Sequence, residues 1–232
     1  MKKAVLLIAV VLILSSVPVY SEEAGLEFSV FVPESLYLHG EGTVALTSGF
    51  GTSWALADFI EIPIGFDYMK LHGMMVEGVT NGSTAVTASK PWFMSDCFIP
   101  YITVKLNLGL GPLTLSAFGG GAAFWNATLT PLRGFIAADL APSGSVAGLS
   151  SLNYKNNFGF GWLTGAEISV EVHPVTIGLF AEYRSLSSAL ELSADYVSAS
   201  STAVSGSGSL SGTDSRLFIR GIAGGIKGSL SF

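Results

Sequence analysis

Apolar residues in this chain keep to every second position. Ile60, Ile62, Ile64, Phe66 and Tyr68 share one parity, and Glu61, Pro63, Gly65, Asp67 and Met69 the other. Ile102, Val104, Leu106, Leu108 and Leu110 alternate with Tyr101, Thr103, Lys105, Asn107 and Gly109. Successive side chains of a strand point to opposite faces, so a period of two specifies strands with two different surroundings. The constraint is strong because the chain is 49% hydrophobic and 12% charged, with mean hydropathy +0.55. Charged residues make up about a quarter of an average soluble domain. Beyond the N-terminus no apolar run approaches the ~20 residues of a membrane helix. High hydropathy delivered by alternation is what a sheet produces when one face meets lipid.

The pattern predicts eight strands. They are Leu26–Val32, Thr43–Phe50, Ile60–Met69, Phe98–Leu110, Leu113–Trp125, Phe158–Val172, Val175–Arg184 and Arg216–Phe232. Pro63 is awkward inside a sheet, so a bulge is expected there. Tight turns fall at Gly111-Pro112 and His173-Pro174, with a short reversal over Gly49–Asp58. Long loops are expected over Leu71–Asp96, Asn126–Asn157 and Ser193–Ser215. Short and long connections alternate, which is the asymmetry of a transmembrane barrel with both termini at the short-turn end.

Met1-Lys2-Lys3, the apolar stretch Ala4–Leu14 and Ser15–Ser21 have the three zones of a secretory signal peptide, with cleavage expected before Glu22. An uncleaved N-terminal anchor is the alternative. The domain division is therefore 1–21 signal peptide and 22–232 barrel. Removal of Lys2 and Lys3 leaves nine bases against seventeen acids, a formal charge of −8. An acidic mature chain argues against nucleic acid as a partner. Cys97 is the single cysteine, which excludes an intramolecular disulfide and a CxxC pair.

If the apolar parity faces lipid, the other lines the lumen. That assigns Glu27, Glu61, Asp67, Lys105, Glu167, Glu171, Glu182, Arg184 and Lys227 to a lumen charge network. Eight strands enclose a space just wide enough for side chains to fill. Charges packed there must pair, because isolated buried charges are costly. Two readings stay open: a salt-bridged plug or a narrow gated path. Arg220 also stays open, outward by parity unless a bulge at Gly224-Gly225 turns it in.

Trp125, Phe158, Phe160, Trp162 and Tyr183 fall where an upper aromatic girdle would lie. Met74, Met75, Trp92, Phe93 and Met94 sit in an expected loop, either as the lip of an apolar ligand entry or as packing for the wall. His39, His72 and His173 make no metal-ligand spacing with each other or with Cys97. No catalytic residue and no cofactor is expected, so the chain does not read as an enzyme.

The terminal Gly228-Ser-Leu-Ser-Phe232, the signal peptide and the loop alternation resemble the small eight-stranded outer-membrane barrels of diderm bacteria, OmpW-like or OmpX/opacity-like. The resemblance spans the mature chain and is architectural. It implies an all-β, eight-stranded antiparallel up-and-down barrel, exported to the outer membrane. Its partners would be outer-membrane lipid and the barrel-assembly machinery, the latter reading Ile226, Leu230 and Phe232 as a C-terminal signal. A structural or surface-interaction role with a narrow or plugged lumen is the first expectation. The alternatives are a narrow channel for small hydrophobic solutes, a host ligand bound by the loops, and a secreted soluble β-sandwich.

Overall fold

The computed structural model describes residues 23–34, 36, 44–81, 84–86, 88–141, 145–200 and 203–231. The expected signal peptide at 1–21, His39 and Phe232 lie outside the described residues. The elements are β1 (Glu23–Pro33), β2 (Ala45–Ala57), β3 (Ile60–Glu77), β4 (Val79–Asn81), β5 (Thr84–Val86), β6 (Phe93–Leu110), β7 (Leu113–Pro131), α1 (Arg133–Leu140), β8 (Ser145–Val172), β9 (Val175–Ser200) and β10 (Ala203–Ser231).

Eight of these strands form an antiparallel ring in the order β1-β2-β3-β6-β7-β8-β9-β10. β10 returns to β1 and closes it, from Glu23↔Ser231 to Pro33↔Gly221. A closed ring has no free edges at this level, which removes the sandwich alternative. The lower end carries both described chain ends and the turns at 58–59, 111–112 and 173–174. At that end the Asn107 amide donates to the Phe59 carbonyl at 2.9 Å, and that of Glu171 to the Pro112 carbonyl at 3.3 Å.

The upper end differs from the sequence expectation. β1 stops at Pro33 and β2 starts at Ala45, while β3 and β10 run on. There β3 pairs directly with β10, Met75 to Glu77 against Phe218 to Arg216. The ring of eight thus narrows to a ring of six. β8, β9 and β10 are 28, 26 and 29 residues long. Crossing an outer membrane takes about 9–11 tilted residues. The remainder forms a crown above the barrel.

Much of the three expected loops is therefore strand. β3 extends to Glu77 and β6 begins at Phe93, with the β4–β5 hairpin between them. The stretch 126–157 holds the top of β7, α1 and the first half of β8. The Ser/Ala/Gly-rich stretch 193–215 belongs to the β9–β10 hairpin, paired up to Ser200↔Ala203. Along β9, Leu190, Leu192, Ala194, Tyr196 and Ser198 are buried, and Ala189, Glu191, Ser193, Asp195 and Val197 are exposed. The period of two is present, with Leu190, Leu192 and Tyr196 set against Glu191 and Asp195, and the sequence loses its hydropathy contrast only past Val197, in serine, alanine and glycine.

Two smaller expectations also change. β2 runs through the supposed reversal to Ala57, and the turn is Asp58-Phe59. Pro63 sits inside the barrel without a bulge; the β3–β6 ladder skips Ile62 and Pro63 and keeps its register. Gly120 in the triple glycine of β7 faces inward, where a Cβ would collide with the Ile102 carbonyl and Thr103 Cα. That close approach of β6 and β7 is its physical reason.

The core fills the upper lumen and the crown. Phe31, Met69, Leu71, Ile99, Phe124, Leu163, Leu186, Ile219 and Ala223 are buried in one apolar cluster. Trp92, Ile136 of α1 and Leu217 belong to the same cluster.

Candidate functional site: the barrel lumen

Below that apolar layer the lumen is polar. Arg184 projects from β9 with a side chain 1% exposed. Its Nη2 lies 2.5 Å from Asp67 Oδ2 of β3 and 3.8 Å from Glu27 Oε1 of β1, and it also contacts Glu182 Oε1. The Tyr101 hydroxyl donates to Glu27 Oε2 at 3.3 Å. Strands from several sides of the ring thus converge on one guanidinium, whose planar fork suits carboxylates.

A second group lies lower. Lys105 Nζ is 2.9 Å from Glu167 Oε1 and 3.9 Å from Glu61 Oε2. Asn107 Nδ2 donates to Glu61 Oε1, and the Ser116 hydroxyl donates to Asn107 Oδ1 at 2.7 Å. Lys227 faces Glu27 across the β1–β10 register and is half-buried, without an ion pair among the described residues. A cavity of about 30 Å³ lined by Glu27, Tyr101, Lys105, Glu182 and Lys227 separates these groups. By the same measure one water needs about 10–15 Å³, so the space suits a water or two and no solute.

The structure brings together eight of the nine residues assigned to the lumen. Glu171 is the exception. It keeps the inward parity but is exposed at the lower rim, because β8 has passed the end of the ring there. Sequence parity could have added Tyr101 and Asn107, which share the face of Lys105. Gly49 is also part of the arrangement. A Cβ there would collide with Asp67 Oδ1 and stand 2.9 Å from Glu27 Cγ. The two carboxylates occupy the space its missing side chain leaves.

The five residues of the supposed ligand entry separate. Met74, Trp92 and Phe93 are 0% exposed in the core, and Met75 and Met94 are half-buried. Trp92 is held from above by Asp139 of α1, a residue that no sequence pattern singled out. Asp139 Oδ2 accepts from Trp92 Nε1 at 2.7 Å, from the Ser89 amide at 3.1 Å and from the Lys90 amide at 3.3 Å; Oδ1 accepts from the Ser89 hydroxyl. Phe93 packs edge-on against Tyr154 at 5.4 Å, and the Tyr154 hydroxyl donates to the Leu129 carbonyl at 2.8 Å.

No family model and no curated protein matches the chain. Solved structures similar to it include the outer membrane protein OprG from Pseudomonas aeruginosa, with 9% identity over 89% of this chain and 96% of that one and a TM-score of 0.43. Neisserial surface protein A is similar with 9% identity, 90% and 95% coverage and a TM-score of 0.39. The outer membrane protein AlkL, in lipid bilayers, has 11% identity, 91% and 90% coverage and a TM-score of 0.36. These likenesses concern the fold alone.

Outside the ring the side chains are apolar. Leu26, Phe28, Leu106, Leu108, Ile177, Leu179 and Ile226 are each more than half exposed. Above them runs a ladder of rings, Phe50, Phe66, Phe98, Trp125 and Phe158, with successive centroids 5.0–6.1 Å apart. Phe50, Phe66 and Phe98 were not among the expected girdle residues; Trp162 and Tyr183 form a separate pair at 5.4 Å. Arg220 points outward, with no register shift at Gly224-Gly225. It stacks over Phe218 at 4.0 Å and lies 3.5 Å from Glu77 Oε1. Ile226 and Leu230 lie on the outer face.

Proposed function

We propose that this chain is an integral outer-membrane barrel of a diderm bacterium, exported through a signal peptide at 1–21, with a closed lumen and a structural or surface-interaction role. One observation carries the reading: the outer face of a closed ring is an apolar belt. On β6 the belt runs from Ile102 through Val104, Leu106 and Leu108 to Leu110, each at least half exposed. That nine-residue height matches the ~9–11 residues of a tilted membrane strand. Continuous apolar patches of this size are not left to water in soluble monomers.

The closed lumen rests on two barriers in series. Arg184 and its carboxylates fill the middle, and the apolar cluster under Trp92 fills the top. The plug is thus favoured over the gated path, and Met74, Trp92 and Phe93 act as packing rather than as an entry. Partners of the barrel are lipid on the outside, the assembly machinery at Ile226, Leu230 and Phe232, and whatever ligand the crown meets. No catalytic role is assigned.

The test is heat-modifiable migration of the mature protein extracted in detergent. A faster-running band in unheated samples supports the reading. Mature protein that stays in solution without detergent, with one band regardless of heating, overturns it.

A further inference from the structure

We propose that α1 is a hinged lid on the crown, kept shut by the single carboxylate of Asp139. This goes beyond the closed-barrel reading and does not depend on the membrane assignment.

The helix has little stability of its own. It is eight residues long, has no side-chain cap at Leu132, no acid in its first turn and no base in its last. Gly134 lies in its first turn. Helices shorter than about 12–15 residues are marginal alone, and uncapped ends weaken them further. Tertiary contacts must therefore hold it.

Its apolar contacts are Ile136, Ala137 and Leu140 on the core cluster, and its polar contacts sit at its two ends. At the start, the Leu132 amide donates to the Trp92 carbonyl at 2.7 Å, directly after the end of β7 at Pro131. This makes a fixed pivot. At the far end Asp139 accepts from four donors of the 89–92 segment: Ser89 amide and hydroxyl, Lys90 amide and Trp92 indole. Between them only Ile136 and Leu140 are buried. Lys90 Nζ stands 5.6 Å from the ring of the exposed Phe135. One residue is thus the polar latch for the whole element. Its release uncovers the apolar face beneath Ile136 and Leu140, with Trp92 at its edge.

The experiment is hydrogen exchange on the folded full-length mature barrel in detergent, comparing wild type with Asp139→Asn, Asp139→Ala and a control, Ser150→Ala. Loss of the carboxylate leaves the indole N–H of the fully buried Trp92 without its acceptor, a cost of about 1–3 kcal/mol, which converts to roughly fivefold to 150-fold faster opening. Amides of 135–141 should exchange together, faster in Asp139→Ala by that factor and less so in Asp139→Asn. Amides of β6 and β7 at 101–105 and 117–121 should not change, nor should Ser150→Ala affect α1. The apolar dye N-phenyl-1-naphthylamine should bind Asp139→Ala more than wild type. Unchanged α1 exchange in Asp139→Ala would overturn the proposal. So would acceleration shared equally by the barrel strands, or faster α1 exchange without added dye binding.

Discussion

Arg184 on β9 and Asp67 on β3 meet inside the lumen at 2.5 Å, with side chains 1% and 0% exposed. β3 and β9 stand on opposite sides of the eight-stranded ring. The pair therefore braces the barrel across its width rather than along one sheet surface. Removing one partner of a buried ion pair costs about 3–5 kcal/mol, because the other charge is left uncompensated. Arg184→Ala is expected to lose stability of that order, read from urea unfolding midpoints in lipid vesicles. Exchange of the exposed Lys155, which lies 4.0 Å from Glu191, is expected to lie within about 1 kcal/mol of wild type.

Opening the brace should not open a path. The apolar cluster of Phe31, Met69, Ile99 and Leu186 lies above Arg184 and remains packed without it. Planar-bilayer recordings of Arg184→Ala are expected to show no conductance above the lipid background. Steady ion-selective conductance would place the only barrier at Arg184 and revive the gated path.

Gly49 tests how tightly the carboxylates are packed. Gly49→Val drives two methyl groups into the space shared by Asp67 and Glu27, and overpacking of this kind costs about 1–3 kcal/mol. Gly109, whose Cβ position meets nothing within 4 Å, is the comparison. Gly109→Val is expected to be near neutral in the same unfolding measurement.

The barrel half of this fold was legible and the crown was not. Ile60 to Tyr68 and Ile102 to Leu110 set an apolar outer face against the lumen with full hydropathy contrast, so their parity assigns Glu61 and Lys105 to the inside. In the crown, Leu190 to Tyr196 alternates as well, but the stretch after Val197 carries serine, alanine and glycine at both parities, which masked the strand. Methionine and tryptophan at 74, 75 and 92 resembled loop residues for a related reason. The tight positive-φ Gly73 and the bulge between His72 and Met74 shift the parity of β3, so the pattern breaks although the strand continues. Asp139 could not be found from sequence, because its donors come from a segment 47–50 residues away. The charge clusters were legible as a list of residues and not as pairs, since partners such as Asp67 and Arg184 meet only once the ring closes.

The role in assembly proposed for Phe232 can be tested apart from stability. Deleting it should slow insertion into the membrane in cells while leaving the unfolding midpoint of refolded barrel unchanged. Pulse-chase appearance of the heat-modifiable band reads the first, and urea unfolding the second. Insertion at the wild-type rate would remove the terminal residue from any role as a signal.

The most direct measurement is accessibility along β6. With Cys97→Ser as background, a single cysteine is placed in turn at 102 to 110 and carries a nitroxide label in lipid vesicles. Collision with oxygen, which concentrates in lipid, and with a water-soluble nickel complex is then recorded. Labels at 102, 104, 106, 108 and 110 should be open to oxygen and closed to nickel, whereas those at 103, 105 and 107 should be sheltered from both. Nickel access at the even positions would contradict a lipid-facing belt, and nickel access at the odd ones would contradict a filled lumen.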